Sequence, residues 1–123
     1  MYNDTNKLIV WQKSHELVLI IYEITKNFPK EELLGLTSQI RRAAVSIPSN
    51  IVEGKARGSD KDYKRFLLIA RGSLEELKYQ LLLAKDLLYM DEKKYNEILK
   101  LSKDVGRLLN GLIRSLNEKN EGK

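Results

Sequence analysis

Arg41-Arg42, Lys55, Arg57, Lys64-Arg65 and Arg71 are the residues whose type and spacing could do chemistry, and that chemistry is the holding of anions. A guanidinium presents a planar fork of donors that matches phosphate oxygens, and a lysine adds a compact point charge. Residues 35–71 hold eight basic residues (these seven and Lys61) against three acidic ones (Glu53, Asp60 and Asp62), and the rest of the chain holds fourteen of each. The whole formal excess of +5 therefore falls in one continuous third of the chain. A phosphate-facing surface needs such a concentration and an evenly solvated one does not. Lys64, Arg71, Lys78 and Lys85 also recur every seven residues. Lysines beside a helix seam commonly cover apolar surface or pair with acids, which is the reading for Lys78 and Lys85; Lys64 and Arg71 are assigned to phosphate.

Other chemistry finds little support. The 123 residues include no Cys and a single histidine, His15, so thiolate metal sites, disulfides and a histidine ligand set are not expected. Ser14 and Glu16 flank His15, but adjacent helical residues point to different faces and do not form a catalytic pair. Gly54-Lys55 and Gly58-Ser59 lack the order of a phosphate loop and a preceding strand. The acidic pairs Glu31-Glu32, Glu75-Glu76 and Asp91-Glu92 read as solvent charges. The expectation is a protein that is not an enzyme and needs no cofactor or metal. The longest apolar run, residues 17–22, is far short of a bilayer span, and the chain reads as cytoplasmic with no membrane partner.

Helices must position these cations. Apolar residues recur at three and four positions with hardly any strict alternation, which predicts helices over residues 10–27, 36–56, 59–89 and 91–116. Phe28-Pro29 ends the first helix. Pro48 lies inside the second and predicts a kink near Ser46, and Gly58 is its expected left-handed cap. Ser59 or Asp60 opens the third helix. Its core row is Tyr63, Leu67, Ala70, Leu74, Leu77, Leu81, Ala84 and Leu88, and that of the fourth is Tyr95, Ile98, Ser102, Val105, Leu109, Leu112 and Leu116. Short connections between long amphipathic helices give an all-α, antiparallel up-and-down four-helix bundle, a single domain over 1–123 with its core at 8–116 and polar tails.

The apolar arcs are wider than one bundle core needs. Trp11, Val18 and Tyr22 lie beside a sufficient core strip in the first helix, and Val45, Pro48 and Val52 share a strip with Arg41 and Lys55 on the second. Such excess marks self-association, so these six residues are the expected oligomer interface.

Three segments, Val10-Trp11-Gln12-Lys13, the run from Leu36-Thr37-Ser38-Gln39-Ile40-Arg41-Arg42 through Ala43-Ala44-Val45-Ser46-Ile47-Pro48-Ser49-Asn50-Ile51-Val52-Glu53-Gly54, and Ala70-Arg71-Gly72-Ser73-Leu74-Glu75-Glu76-Leu77, closely resemble the bacterial four-helix-bundle family encoded in intervening sequences of 23S ribosomal RNA genes. The resemblance implies a homopentameric barrel and kinship with accessory proteins of diversity-generating retroelements, which bind nucleic acid and a reverse transcriptase. It touches Arg41, Arg42, Asn50, Glu53, Gly54, Arg57, Arg71, Gly72 and Ser73. Gly54 and Gly72 are expected to permit close helix approach, and Asn50 and Glu53 to bond arginines across a subunit contact.

Charge and resemblance together give the expectation of a basic, oligomeric nucleic-acid-binding protein, contacting RNA or DNA phosphates with little sequence preference. The alternative is an assembly scaffold whose basic face docks a protein partner, such as a reverse-transcriptase-like protein.

Overall fold

The computed structural model describes residues 4–121, and over these the chain is four α-helices and one short 3-10 turn: α1 (Asp4–Thr25), the turn (Lys30–Glu32), α2 (Leu36–Ala56), α3 (Asp60–Asp86) and α4 (Glu92–Glu121). Each helix packs on its neighbours in sequence, and α1 also packs on α4, which closes a square bundle; α2 and α3 share the most extensive interface. Neighbours run antiparallel. Moving toward the C-terminus of α3, Asp60 meets Lys119, Arg71 meets Asn110 and Lys85 meets Tyr95, so α4 runs back along it.

Local chemistry sets the ends. Gly58, at φ +87°, turns the chain out of α2, where Arg57 N–H donates to the Gly54 carbonyl. Ser59 caps α3, its Oγ accepting from the Asp62 N–H at 3.1 Å. Asp91 does the same for α4, its Oδ1 accepting from the Lys94 N–H at 2.7 Å. α2 is helical on both sides of Pro48. The Asn50 side-chain amide donates to the Ser46 carbonyl at 2.7 Å, whereas the carbonyl that loses its helical donor to Pro48 is that of Ala44.

Three boundaries differ from those that spacing predicts. α1 begins at Asp4 rather than near Val10, because residues 4–9 contain no proline or glycine to stop a helix from propagating backward. α4 continues past Leu116 to Glu121, so most of the expected polar tail is helical; the first glycine after Leu116 is Gly122, and residues 122–123 lie outside the described residues. α3 ends at Asp86, short of Tyr89. There Leu88 adopts φ 66°, Leu88 N–H donates to the Lys85 carbonyl and Tyr89 N–H to the Ala84 carbonyl. This is a Schellman turn built on leucine, and Leu88, expected in the core, is 87% exposed.

The core is one cluster of residues from all four helices, centred on Leu17, Ile21, Ile40, Ile47, Leu67, Leu74, Leu77, Leu81, Ile98, Leu109 and Leu112. Tyr95 is half-buried at its edge. At one end of the bundle the α1–α2 connection is tied to the α3–α4 corner: Tyr89 O–H donates to Glu32 at 2.7 Å, and the Phe28 and Tyr89 rings lie 5.4 Å apart. Glu32 Oε1 also accepts from the Leu36 N–H, opening α2. The Tyr89 bond first, and then the Leu36 bond, hold the Glu32 carboxyl below the usual carboxylate range. The same partnership pushes the Tyr89 hydroxyl up.

Candidate nucleic-acid interface

Close approach of α2 and α3 builds the centre of the basic region. A Cβ on Gly54 would lie 2.7 Å from the Phe66 Cβ and 3.2 Å from a Tyr63 ring carbon, so the two helices meet at a distance no side chain allows. The approach seats Phe66 between the elements, 8% exposed, and two cations rest on its ring: the Arg57 guanidinium 5.0 Å from the centroid and that of Arg65 4.5 Å from it. A guanidinium lying on a ring gains cation–π attraction while its N–H edge stays available to acceptors. Each is steadied on its own helix by an acid, Arg57 by Glu53 at 2.9 Å and Arg65 by Asp62 at 3.8 Å. Further along the seam the Ser46 and Ser73 hydroxyls bond at 2.8 Å.

The third acid of this stretch is also taken, because Asp60 pairs with Lys119 of α4 at 3.0 Å. With Glu53, Asp60 and Asp62 so engaged, Arg42, Lys55, Lys61 and Lys64 have no acidic partner among the described residues. Arg42 and Lys55 are exposed and Lys64 is half-buried. Arg71 is exposed and donates to the neutral Asn110 side chain at 3.1 Å, which leaves its charge uncompensated.

The seven candidate cations do not share one face. Arg57 and Arg65 meet at Phe66 on the α2–α3 seam, and Arg42 lines the same seam toward its other end. Lys64 and Arg71, one heptad apart, lie toward α4. Arg41 points the opposite way: its Nε donates to the Thr25 hydroxyl at 2.8 Å and its guanidinium lies 4.8 Å from the Tyr22 centroid, so it knits α2 to α1. Lys78 and Lys85 pair with Glu75 and Asp86 on their own helix, and Lys85 also covers the Tyr95 ring.

On the α1–α2 side Tyr22, Val45 and Val52 are exposed at 41%, 37% and 55%, and Trp11 and Val18 are half-buried against the core. Pro48 lies beneath this strip rather than on it, buried among the core residues of α2. His15 stacks on Trp11 at 5.2 Å and extends the strip. Gly72 makes no close approach within the chain, since a Cβ there meets nothing within 4 Å. Asn50 bonds to Ser46 and Glu53 to Arg57, so both are engaged inside their own helix.

Two features escape sequence reasoning. Phe66 lies off the core row of α3, and the cue to it is the pair of arginines that the α2–α3 turn brings to one ring. A second apolar stripe, Leu68, Tyr79 and Leu82, is exposed on α3, hidden in the sequence by the charged residues between its members. No helix among the described residues is long and apolar enough to cross a membrane.

Comparison with known proteins gives the lineage of this arrangement. No curated protein matches the chain. Among solved structures, a protein of unknown function from the S23 ribosomal protein family of Bacteroides thetaiotaomicron is 28% identical, superposes with a TM-score of 0.82, and is matched over 89% of this chain and 98% of its own. Residues 6–111 match the sequence model of the 23S rRNA-intervening sequence proteins, a span that takes in all of α1–α2–α3 beyond the first turn, the Gly54–Phe66 contact and most of α4. The chain therefore belongs to the 23S rRNA-intervening sequence protein family.

Proposed function

We propose that the protein is a non-enzymatic, oligomeric nucleic-acid-binding protein of the cytoplasm that holds phosphates with Arg42, Arg57 and Arg65 along the α2–α3 seam and with Lys55, Lys64 and Arg71 on the flanking faces. The observation that carries this reading is that each of the three acids of the basic third faces one base, Glu53 with Arg57, Asp62 with Arg65 and Asp60 with Lys119, while Arg42, Lys55, Lys61 and Lys64 have no acidic partner among the described residues. Phosphate contacts of this kind release counterions and carry no sequence information by themselves, so binding is broad and salt-sensitive. Arg41 is left out of the set because its guanidinium is committed to Thr25 and Tyr22.

Self-association multiplies the effect. The chain carries two separate apolar stripes, one on α1 and α2 and one on α3, and a closed ring needs two such different faces meeting head to tail. In the pentamer that the family resemblance implies, five copies at +5 hold about +25, so one nucleic-acid strand meets several basic seams at once.

Fluorescence anisotropy with a labelled single-stranded RNA and a DNA duplex tests the reading. The double charge reversal Arg57→Glu, Arg65→Glu weakens both by at least tenfold without changing the helical content. Undiminished binding by that variant contradicts it. The α3 stripe also favours a second reading, a scaffold docking a protein partner; in a pull-down, a protein that stays bound through nuclease and moderate salt selects it.

A further inference from the structure

Four leucines, Leu33, Leu34, Leu87 and Leu88, are exposed at the end of the bundle that carries the Glu32–Tyr89 bond, Leu34 and Leu88 almost wholly so at 94% and 87%. They belong to one surface. Leu33 and Leu34 follow Glu32 directly in the chain, and Leu87 and Leu88 directly precede Tyr89, whose hydroxyl holds Glu32 at 2.7 Å. Leu34 also lines a groove with Gln80, and Leu87 lies one heptad beyond Gln80 on the same flank of α3. Met90 continues the surface past Leu88, in a shallow hollow that the two share with Lys85, Asp86, Asp91 and Glu92. Folding does not call for leucine here. Leu88 is the one non-glycine residue at positive φ among the described residues, at the position where a helix ordinarily ends on glycine, so the chain bears a backbone cost while it holds an apolar side chain in water. An outlier of this kind points to a requirement other than folding, and clustered exposed apolar side chains mark a contact surface.

Charge selects the occupant. Around the leucines Glu31, Asp91 and Glu92 have no lysine or arginine partner among the described residues, and Glu32 bonds to the neutral Tyr89 hydroxyl; against them stand the unpaired Lys30 and Lys93, while Asp86 is matched by Lys85. Acids therefore outnumber bases at this end of a chain whose formal net charge is +5. A phosphate backbone or an anionic lipid surface is repelled here, and a second copy docked end to end would set acid against acid. A segment with apolar side chains on one face and lysine or arginine along its edges meets both the leucines and the carboxylates, and an amphipathic helix presents that combination. We infer that the leucine end of the bundle, Leu33, Leu34, Leu87 and Leu88 with Glu31 and Glu92 at the rim, docks a basic amphipathic helix of a partner protein. Arg57 and Arg65 lie on Phe66 at the opposite end, beside the α2–α3 turn, so the two surfaces can be occupied together, and the inference stands whether or not the basic seam takes nucleic acid.

The test uses the full chain, methyl-labelled at leucine, with two synthetic helical peptides that share one leucine face and carry either lysine or glutamate at the remaining positions. The lysine peptide is expected to shift the Leu34 and Leu88 methyl signals and to bind about tenfold tighter than the glutamate peptide, the difference shrinking as salt rises. Leu34→Ser with Leu88→Gly removes the two most exposed side chains, and the glycine also relieves the backbone, so folding is kept while affinity for the lysine peptide is expected to fall about tenfold. Glu31→Gln with Glu92→Gln is expected to narrow the preference between the peptides. Absent or equal binding of the two peptides, undiminished binding by the leucine variant, or signals confined to Leu68 and Leu82 of the α3 stripe overturns the inference. It is overturned equally if the leucine variant lowers the mass of the parent assembly in light scattering, which assigns this end to a second copy, or if it releases the chain from phosphatidylcholine vesicles, which assigns it to a lipid surface.

Discussion

The α2–α3 seam and the α3–α4 seam are built on opposite principles. α3 and α4 bring large side chains to the shared core, Leu74, Leu77, Leu81, Ile98, Val105, Leu109 and Leu112, all nearly or wholly buried. Between α2 and α3 small residues meet the neighbouring helix, Gly54 against Phe66 and Tyr63 and the Ser46 hydroxyl against that of Ser73, and the backbones come closer. Large side chains fill volume and leave their outer positions to ordinary local ion pairs, as with Lys78 and Glu75. Close backbones bring the flanking positions of two helices together, and here those positions are Arg57 and Arg65 on Phe66 at one end and Arg42, Glu76 and Gln80 around a groove at the other. The closer and more extensive seam is also the one that presents chemistry.

Substitutions sharpen that contrast. In the large-residue seam, Leu109→Ala removes a fully buried side chain and is expected to cost about 2–5 kcal/mol, read by urea unfolding, with nucleic-acid affinity of the remaining folded protein unchanged. In the small-residue seam, Gly54→Ala drives a methyl group against the Phe66 Cβ, which cannot yield without moving α3. Overpacking of this kind costs about 1–3 kcal/mol, more than the helix-propensity gain of up to about 1 kcal/mol returns. This variant also displaces the ring beneath Arg57 and Arg65, so it is expected to lower nucleic-acid affinity where Leu109→Ala does not. Gly72→Ala, with open space around it, serves as the control and is expected to be neutral or stabilising.

The tie at the end of the bundle gives a pH test. Glu32 is held below its unfolded value, so its contribution is present above the ordinary carboxylate pKa, about 4.3, and is lost as pH falls through the lowered folded value. Tyr89 is raised, so its contribution is present below its ordinary pKa, about 10, and is lost as pH climbs through the raised folded value. Tyr89→Phe is expected to lower the thermal midpoint at neutral pH. The gap from the parent protein should close once Glu32 protonates and also at strongly alkaline pH. The smallest effect is at Leu88, where glycine relieves a left-handed backbone cost of roughly 1–2 kcal/mol against its own entropic penalty of about 0.5–1 kcal/mol; a rise of a few degrees in thermal midpoint checks it.

Most of the architecture is legible in the sequence because its signals are local. Gly58 and Ser59 mark the α2–α3 turn, Asp91 marks the start of α4, and the three-four rows of α3 and α4 identify the core. The end of α3 is not legible, because Leu88 occupies the left-handed position where glycine is the usual signal. The site is half legible. The charge excess is plain in the sequence, but Arg41 and Arg42, adjacent in the chain, are about 100° apart around the helix, and tertiary contacts decide that one joins α1 and the other the α2–α3 seam. Phe66 is missed for a related reason: it lies on the flank of α3 that the close approach at Gly54 buries, and a lone glycine does not announce how near the next helix will come.

The central claim is that the cations of the α2–α3 half, those paired locally with Glu53 and Asp62 included, form the anion-binding surface. Its most direct test is the slope of log affinity against log salt for a single-stranded RNA, compared between the parent protein and Arg42→Gln, Arg57→Gln, Arg65→Gln. Each phosphate contact contributes about −0.7 to that slope on a single strand. A steep negative slope in the parent, made shallower by about 2 in the triple variant, is the predicted result. A flat slope in the parent, or an unchanged steep slope after all three arginines are neutralised, contradicts the account.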